Sequence, residues 1–332
     1  MKALSETIVK CENLKKWFPV RLGFFQTIIS RRQLFLRAVD GISVDVKKGE
    51  IYGLAGESGS GKTTIGRLLL RLLTPTDGKI FFKDKDITFL KDKKMRPLRR
   101  QMQIIFQDPY ESLNPRMLVR SILEEPLLIQ GIGGKQTEEL VHKAMEDVQL
   151  VPPEEFLLRF PHELSGGQRQ RVAVARALVL NPEFVVADEP VSMLDVSIRA
   201  EVLNLMIDLV EKYNMAFLYI THDLALARHI CDRIAVMYLG KVLEQGSSDD
   251  VIEGALHPYT QALVAAVPVP DPSSRRIEVR VKGEIPSPVN PPSGCRFHTR
   301  CPAYIGDICR EKEPPLVDLG NDHLVACHLY SK

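Results

Sequence analysis

The 332-residue sequence contains no apolar run of about 18 residues, the length that a membrane-spanning helix needs. Its first residues also lack the apolar core of a secretion signal. We therefore expect the chain to stay in the cytosol, where it can still dock on a membrane protein. The formal net charge is only +2, so the overall charge gives no reason to expect a nucleic-acid partner.

Cysteine is scarce, and four of the six cysteines lie after residue 294. The other two, Cys11 and Cys231, stand alone and are interpreted as buried, small apolar side chains. In a cytosolic chain, clustered cysteines indicate a metal site before disulfides. Four thiolates suit a [4Fe–4S] cluster or Zn²⁺, and their spacing alone does not decide between the two. The candidate ligands are Cys295, Cys301, Cys309 and Cys327.

Short apolar stretches alternate with helical patterns through residues 1–254. One such stretch, "FVVAD", is interpreted as a strand, and the segment Ile198–Tyr213 has apolar residues at helical spacing. This alternation predicts an α/β domain built on a mostly parallel sheet. Helical patterns dominate residues 108–180, which predicts a helical subdomain there.

Two segments interrupt the α/β pattern. Residues 21–37 mix aromatic and arginine side chains without periodicity. We interpret them as a long hairpin connection, with a membrane-touching loop as the alternative. Residues 255–332 contain proline-rich stretches, which disfavour helix and sheet. We expect a small C-terminal extension there, and a metal would compensate for its small core.

The segment "GESGSGKT" matches the phosphate-loop pattern G-x-x-x-x-G-K-[ST] between a strand and a helix. Glycines let backbone N–H groups turn toward a β-phosphate, and the helix N-terminus adds a positive dipole. We expect Lys62 to bridge the β- and γ-phosphates of ATP and Thr63 to ligate Mg²⁺. The candidate nucleotide-binding residues are Gly56, Glu57, Ser58, Gly59, Ser60, Gly61, Lys62, Thr63 and Thr64.

Two adjacent carboxylates stand at the end of an apolar strand in "FVVADEP". The strand end is expected to place Asp188 beside the metal ion. Glu189 then accepts a proton from the water that attacks the γ-phosphate. Adjacent carboxylates are often only a solvated turn, but a phosphate loop in the same chain favours the catalytic interpretation.

A second glycine-rich turn, "LSGGQ", opens another helix. Ser165 can donate its hydroxyl to an anion, and Gly166 and Gly167 let backbone N–H groups approach it. The helix that starts near Gln168 directs its positive end to the same place. The alternative is a serine N-cap at an ordinary helix start.

Five motifs follow one another in the order found in ABC-transporter ATPase domains: the phosphate loop, "LSGGQ", "VVADEP", "SMLD" and "THD". The chain resembles that family over residues 7–255. The resemblance implies a P-loop NTPase (RecA-like) core with an antiparallel β subdomain and a helical subdomain. It also implies that the "LSGGQ" turn caps the γ-phosphate held by the facing subunit of a head-to-tail dimer.

The same resemblance implies roles for further residues by their position. Phe18 corresponds to the aromatic residue that stacks on adenine, with Trp17 as the competitor. Gln107 resembles a glutamine that senses Mg²⁺ and the attacking water, and His222 a histidine that contacts the γ-phosphate. Both are therefore candidate catalytic residues. Asp195 in "SMLD" resembles the residue that links the two sites of the dimer.

Finer stretches, among them "IFQDPYESLNPRM" and "HPYTQALVAAVPVPDP", resemble the ATP-binding subunits of oligopeptide/dipeptide importers. The chain is closer to the second of the two ATPase subunits that such importers pair. The resemblance implies a second, homologous ATPase subunit, two transmembrane permease subunits and an extracytoplasmic solute-binding protein. It places the chain at the cytoplasmic face of the cell membrane. Some members import oligosaccharides or nickel, which are the alternative solutes.

The resemblance also favours the [4Fe–4S] cluster over Zn²⁺ for the tail cysteines, in a structural role. Because the extension lies far in the sequence from the ATPase motifs, we expect no catalytic part for it. Met193 stands where the family usually has alanine, a change that is expected to affect packing more than chemistry.

Two other classes of protein are less consistent with the sequence. A soluble ABC ATPase in DNA repair carries a long coiled coil, for which the segment between Gln107 and Leu164 is too short. A ribosome-type member usually has two phosphate loops, and this chain has one. The basic run "KDKKMRPLRR" is interpreted as a solvated connector. Intact Glu189 and His222 argue against a binding module that does not hydrolyse ATP.

Overall fold

The computed structural model describes residues 6–20, 33–267 and 281–331 of the chain. Most of the segment interpreted as a hairpin connection, residues 21–32, therefore lies outside the described residues, as do residues 268–280 of the proline-rich stretch. Within the described ranges, no helix combines the length and the apolar character needed to cross a bilayer.

Strands and helices alternate through most of the described chain. The strands are β1 (Thr7–Pro19), β2 (Phe35–Lys47), β3 (Ile51–Ala55), β4 (Asp77–Phe82), β5 (Lys85–Asp86), β6 (Met102–Ile105), β7 (Phe184–Asp188), β8 (Ala216–Thr221), β9 (Arg233–Tyr238), β10 (Lys241–Ser247), β11 (Val317–Asp318) and β12 (Leu324–Val325). The helices are α1 (Lys62–Leu69), α2 (Asp92–Arg99), α3 (Pro109–Ser112), α4 (Val119–Ile129), α5 (Lys135–Asp147), α6 (Glu154–Leu157), α7 (Gly166–Leu178), α8 (Val196–Tyr213), α9 (Leu224–Ile230), α10 (Ser248–Glu253), α11 (Pro258–Ala265) and α12 (Asp307–Glu311).

Local backbone conformation explains where two of these helices end. Helix α8 ends at Tyr213, as the apolar spacing predicts, because Asn214 adopts a left-handed conformation with φ 49°. Helix α1 ends at Leu69, two residues before Arg71, whose φ of 53° takes the chain out of the helical conformation.

The described residues form two compact units. The first contains residues 6–9, 46–51 and 89–220. The second contains residues 10–20, 33–45, 52–88, 221–267 and 281–331.

In the first unit, strands β8, β7 and β6 are neighbours in that order and run parallel. Every residue of β7 is buried, as expected for a parallel strand covered on both faces. Helix α7 packs on β6 and against α4, α5 and α8. Because the strands are parallel, the carboxyl ends of β7 and β8 meet at one edge, where Asp188 lies opposite Ile220. Residues 108–180 are mainly helical, in agreement with the expected fold class.

In the second unit, strands follow the order β11–β12–β10–β9–β3. Strand β3 runs parallel to β9, and β10 is antiparallel to both β9 and β12. A second sheet, most of whose residues also belong to this unit, has the order β2–β1–β4–β5 and includes the antiparallel pair β4–β5. Mixed α/β architecture with an antiparallel part is the expected fold class, which is confirmed.

The C-terminal extension contributes strand β12 to the same sheet as β3. Ala326 N–H donates to the Leu243 carbonyl oxygen over 2.8 Å. His323 Nε2 lies 2.8 Å from Oε1 of Glu244, which is fully buried. The Glu244 carboxylate also accepts the N–H groups of Leu256 and His257, so the buried acid is well hydrogen-bonded. The boundary near residue 254 stays a prediction.

Candidate functional site

The phosphate loop connects β3 to α1 and requires glycine at two positions. Gly56 and Gly61 have φ angles of 144° and 105°, which residues with a side chain rarely adopt. A Cβ atom at Gly56 would lie 2.2 Å from the Met237 carbonyl oxygen. One at Gly61 would lie 2.1 Å from the Ala38 carbonyl oxygen. Close packing of the loop backbone therefore excludes other residues at both positions.

Lys62, the first residue of α1, is buried, with 5% of its surface exposed. Its Nζ donates hydrogen bonds to the carbonyl oxygens of Gly56 (2.7 Å) and Glu57 (3.1 Å). These bonds stabilise a buried positive charge against the loop backbone. Ser60 Oγ is buried in the loop and has no hydrogen-bond partner among the described residues. A buried cation and an unpartnered hydroxyl in a glycine-dependent loop fit the phosphates of a nucleotide.

The remaining loop residues are more accessible. Ser58 and Gly59 are exposed, and Thr63 and Thr64 are half-buried in the first turn of α1. A side chain at Gly59 would meet no atom within 4 Å, although its φ of 77° still favours glycine. The exposed part of the loop is therefore accessible to a ligand from solvent.

Asp188 and Glu189 are adjacent, yet they lie in different environments. Asp188 ends β7 and is buried, whereas Glu189 is half-buried. Glu189 has φ 47°, and its N–H donates to the Ile220 carbonyl oxygen over 3.0 Å. A left-handed conformation in a residue with a side chain costs of order 1 kcal/mol or more, and such residues are concentrated at functional sites. The turn directs the chain out of the strand directly after Asp188.

Gln107 and Glu189 are in direct contact. Gln107 Nε2 donates a hydrogen bond to Glu189 Oε2 over 3.2 Å. Gln107 follows β6 and Glu189 follows β7, and these strands are parallel neighbours. The sheet thus brings together two candidate catalytic residues that are 82 residues apart in the sequence.

The "LSGGQ" turn forms a reciprocal N-cap at the start of α7. Ser165 Oγ accepts the Gln168 N–H over 3.2 Å, and Gln168 Oε1 accepts the Ser165 N–H over 3.0 Å. A Cβ atom at Gly167 would lie 2.6 Å from Ile198 Cγ2, whereas one at Gly166 would make an ordinary contact, 3.6 Å, with Leu194. The serine N-cap that we considered as an alternative is therefore present, and packing on α8 alone explains glycine at position 167.

Asp195 lies at the N-terminus of α8 and is exposed, without a side-chain hydrogen bond to the helix backbone. Met193 and Val196 on either side of it are 66% and 80% exposed. The effect on packing that we expected from Met193 does not arise inside this chain, because its side chain lies mostly in solvent.

His222 directly follows β8 and is exposed. The turn around it is well ordered by hydrogen bonds. Asp223 N–H donates to Thr221 Oγ1 over 3.0 Å, and Asp223 Oδ1 accepts the N–H groups of Ala225 and Leu226. Asp223 is thus the N-cap of α9, which fixes the backbone on both sides of His222.

Two segments of the chain match models of known protein families. Residues 39–192 match the model of the family described as ABC transporter, and residues 243–309 match the family described as oligopeptide/dipeptide transporter, C-terminal region. The chain is 49% identical over 333 aligned residues, 99% of each chain, to the oligopeptide transport ATP-binding protein AppF of Bacillus subtilis. The chain belongs to the ATP-binding proteins of peptide ABC transporters.

Other members of this family and solved ABC cassettes are also similar. The probable peptide ABC transporter ATP-binding protein y4tS of Sinorhizobium fredii is 46% identical, over 98% of this chain and 91% of that protein. The dimeric post-hydrolysis structure of the ATP-binding cassette MJ0796 with ADP and phosphate has a TM-score of 0.62 at 28% identity, over 73% of this chain and 99% of that one. For cbiO1 of Clostridium perfringens the TM-score is 0.64 at 27% identity, over 75% of this chain and 91% of that chain. Both the resemblance to ABC ATPases and the expected fold are confirmed.

In this ABC-transporter chain, both candidate adenine-stacking residues lie near the end of β1 and are half-buried. Trp17 Nε1 donates to Asp40 Oδ1 over 3.0 Å, and the Arg37 guanidinium lies 4.8 Å from the Trp17 ring centre. Lys16 Nζ lies 5.0 Å from the ring centre of Phe18. Each ring therefore already has a cation near it, and the choice between them stays a prediction.

The ABC-family motifs do not include two residues that contact the phosphate loop. Arg300 pairs with Glu57, with 2.9 Å between Nη1 and Oε2, and Tyr259 Oη accepts the Glu57 N–H over 2.9 Å. Both residues come from beyond residue 254, where we expected an extension remote from the ATPase motifs. Sequence spacing gives no signal for either contact, since Arg300 and Glu57 are 243 residues apart.

The two isolated cysteines, Cys11 and Cys231, are buried as expected. For the tail cysteines the finding differs from the expectation. Among the described residues, no group of three or more His, Cys, Asp or Glu side chains is arranged to hold a metal ion. The expected metal centre therefore has no support from the side-chain arrangement.

The four tail cysteines nevertheless lie near one another. Burial raises the pKa of the Cys295 thiol to about 12, and the charges of the other three cysteines contribute to this rise. Similar interactions connect Cys301, Cys309 and Cys327. Cys295 N–H also donates to the Cys309 carbonyl oxygen over 2.9 Å. The thiols are close enough to interact electrostatically, but the raised pKa values of Cys295, Cys301 and Cys327 favour their protonated forms.

Proposed function

We propose that this chain binds and hydrolyses ATP with Mg²⁺, and that the reaction drives import of peptides through a membrane complex. The main support is the phosphate loop, which requires glycine at Gly56 and Gly61 and surrounds the Lys62 ammonium. The hydrogen bond between Gln107 and Glu189 supports hydrolysis over binding alone. The match to the oligopeptide/dipeptide transporter C-terminal region and the names of the relatives support peptides as the solute.

In this proposal the loop binds the phosphates through its backbone N–H groups and through Lys62, over Gly56 to Thr64. Thr63, Gln107 and Asp188 are the proposed Mg²⁺ ligands, since hard oxygen atoms are the ligands that Mg²⁺ prefers. When bound, Mg²⁺ neutralises charge on the phosphate oxygens.

Glu189 is the proposed general base. Water gives its proton to the Glu189 carboxylate while its oxygen bonds to the γ-phosphorus, and the bond from that phosphorus to the leaving ADP oxygen breaks. Gln107 orients the carboxylate through its hydrogen bond. His222 contacts the γ-phosphate, and Phe18 or Trp17 stacks on adenine.

We infer that the second glycine turn acts on a partner's nucleotide in a head-to-tail dimer, with a second, homologous ATPase subunit. The N-terminus of the 13-residue helix α7 carries the positive dipole that favours an anion. Ser165, Gly166, Gly167 and Gln168 would cap the partner's γ-phosphate, and Asp195 would link the two sites. The exposed side chains of Met193 and Val196 beside Asp195 support an interface on this surface, because large apolar side chains are usually covered.

A groove in the first unit supports docking of a permease subunit. It has a volume of about 670 Å³ and lies between α2, β6, α4 and α7. Apolar residues, among them Ile105 and Ile129, share its lining with charged ones such as Arg96 and Glu125. This mixture suits an amphipathic segment of a membrane partner. We propose two transmembrane permease subunits, which would hold the chain at the cytoplasmic face of the membrane, and an extracytoplasmic solute-binding protein.

For the extension we propose one metal centre on Cys295, Cys301, Cys309 and Cys327, a [4Fe–4S] cluster rather than Zn²⁺. The resemblance to importer ATPases favours this cluster, and the four thiols lie close enough to interact electrostatically. The described arrangement does not present a ready ligand set. Binding would therefore require both loss of the thiol protons and some rearrangement of the tail.

The experiment that tests the ATPase and its solute uses the complete complex in vesicles. Uptake of a labelled peptide and release of phosphate are measured together. We expect Lys62→Ala to lose both, because the phosphates lose their buried cation, whereas Lys85→Ala at an exposed position of β5 is the matched control. Uptake of an oligosaccharide or nickel in place of peptide would contradict the proposal that peptides are the solute. Hydrolysis stimulated by nucleic acid or ribosomes would contradict the transport function.

A further inference from the structure

Arg300 of the C-terminal extension forms an ion pair with Glu57, the second residue of the phosphate loop. Its Nη1 lies 2.9 Å from Glu57 Oε2 and its Nη2 lies 3.3 Å from Glu57 Oε1. Nη1 also donates to Tyr238 Oη over 3.4 Å. The Arg300 side chain is only 11% exposed. A two-point, largely buried pair restricts geometry more strongly than an exposed ion pair does.

The backbone of Glu57 is held as well. Its N–H donates to Tyr259 Oη over 2.9 Å. Tyr259 packs with Tyr238 and Phe297, whose ring centres are 4.8 Å and 5.2 Å from its own. Phe297 is fully buried and belongs to the same extension segment as Arg300. An aromatic cluster thus fixes the hydroxyl that positions the start of the loop.

The same segment also makes a buried contact next to Trp17. The Arg296 guanidinium binds the Asp40 carboxylate and the Leu239 carbonyl oxygen. The other Asp40 oxygen accepts Trp17 Nε1. Since both Arg296 and Asp40 are buried, this contact anchors the segment firmly next to one of the two candidate adenine-stacking residues.

Charge gives the Arg300 contact a specific consequence. Glu57 lies within the loop, and its own carbonyl oxygen accepts a hydrogen bond from Lys62. An unpaired carboxylate at this position repels the phosphates of a nucleotide, since like charges at short range are costly where solvent screens them poorly. Arg300 neutralises that carboxylate and holds it by two contacts.

We propose that Arg300 is a positioning residue for nucleotide binding: it neutralises Glu57 and holds the start of the phosphate loop in shape. Affinity for ATP at this chain's own loop then depends on the docked segment Arg296 to Arg300. The inference rests on the proposed ATP binding and goes beyond it, because it gives the extension a part in the nucleotide site.

The test is binding of Mg-ATP to the full chain, measured by calorimetry. Arg300→Met removes the charge and keeps the apolar stem, and we expect the Kd to rise about tenfold, the effect of losing one charge-assisted contact. Inorganic tripolyphosphate should lose affinity to a similar extent, because the effect acts on the phosphates. Arg310→Met is the matched control, since Arg310 pairs only with extension residues in the described part of the chain, Asp307 and Glu311, and it should leave the Kd unchanged.

A second variant separates charge from folding. Adding Glu57→Gln to Arg300→Met removes the unpaired carboxylate, and we expect most of the lost affinity to return. In the complete complex, Arg300→Met should raise the KM for ATP more than it lowers kcat. Arg300→Lys keeps the charge, so its Kd for Mg-ATP should lie between those of Arg300→Met and the wild type. This expectation for Arg300→Lys also holds when thermal melts show that Arg300→Met folds poorly.

The outcomes are distinct. A wild-type chain that does not bind Mg-ATP contradicts the proposed function itself. Wild-type binding together with an unchanged Kd in Arg300→Met overturns the positioning role. A lost affinity that Glu57→Gln fails to restore also overturns it, because Arg300 would then stabilise only the fold of the extension.

Discussion

Gln107 Nε2 lies 3.2 Å from Glu189 Oε2, a hydrogen bond that joins the residues following two parallel strands. The bond restricts the orientation of the Glu189 carboxylate before any water is activated. A general base contributes only when its oxygen is aimed at the proton that it accepts. The pair therefore makes the proposed base a fixed element of the first unit.

Replacing the base is expected to separate binding from hydrolysis. Glu189→Gln should bind Mg-ATP and accumulate a closed dimer, while phosphate release by the complex falls by about 10²–10⁴-fold, the usual contribution of a general base. Phosphate release and size-exclusion chromatography check the two parts. Glu155→Gln, at an exposed position of α6, is the control. Hydrolysis at the wild-type rate in Glu189→Gln would exclude this carboxylate as the base.

Glycine 167 requires a test that separates packing from phosphate binding. Gly167→Ala alone should destabilise the first unit, because its Cβ would lie 2.6 Å from Ile198 Cγ2. Ile198→Ala removes that atom, so the double variant should regain thermal stability relative to Gly167→Ala. If the turn caps the partner's γ-phosphate, the double variant should still show weaker dimer closure than Ile198→Ala alone.

Photolabelling with an ATP analogue identifies the site affected by Gly167. With a wild-type partner subunit, the double variant should reduce trapping of nucleotide on the partner and leave affinity at its own loop nearly unchanged. Reduced labelling of its own loop would contradict action on the partner. An equally active homodimer of this chain alone would contradict the requirement for a second ATPase subunit.

His257 is expected to make stability depend on pH. Burial lowers its pKa from the usual 6.5 to about 3, so the folded chain resists its protonation. Between these values the unfolded chain binds more protons, and the free energy of unfolding falls by up to about 1.4 kcal/mol for each pH unit below 6.5. His257→Asn retains an acceptor for the Tyr259 N–H and should show a weaker pH dependence. Urea unfolding at several pH values measures both slopes, and equal slopes would contradict the role of His257.

The tail cysteines are tested by metal content. Protein purified without oxygen is expected to be brown, with broad absorption near ~400 nm and about four irons per chain. Cys309→Ser should lose the iron, while Cys231→Ser, a buried cysteine outside the set, should keep it. Stoichiometric zinc would contradict the iron–sulfur cluster but leave the four cysteines as the metal ligands. Absence of both metals would leave the four cysteines as packing residues.

Several features were predictable because their physical causes are local. The phosphate loop needs glycine at fixed spacing between a strand and a helix, and the observed positive φ angles of Gly56 and Gly61 follow from that requirement. Helix α8 was predictable because its apolar residues are spaced so that a helix places them on one face. The Ser165 cap was also visible in the sequence as an alternative, since it depends on residues three apart.

By itself, the sequence determined the ATPase motifs and the α/β order of this protein, because glycine conformation, strand burial and helix periodicity act over a few residues. Only the tertiary structure decided which distant groups meet. Gln107 reaches Glu189 because their strands are neighbours, and Arg300 reaches Glu57 across 243 residues because the extension docks through β12 and buried aromatic rings. Such contacts depend on the packing of whole elements, which residue spacing along the chain does not encode.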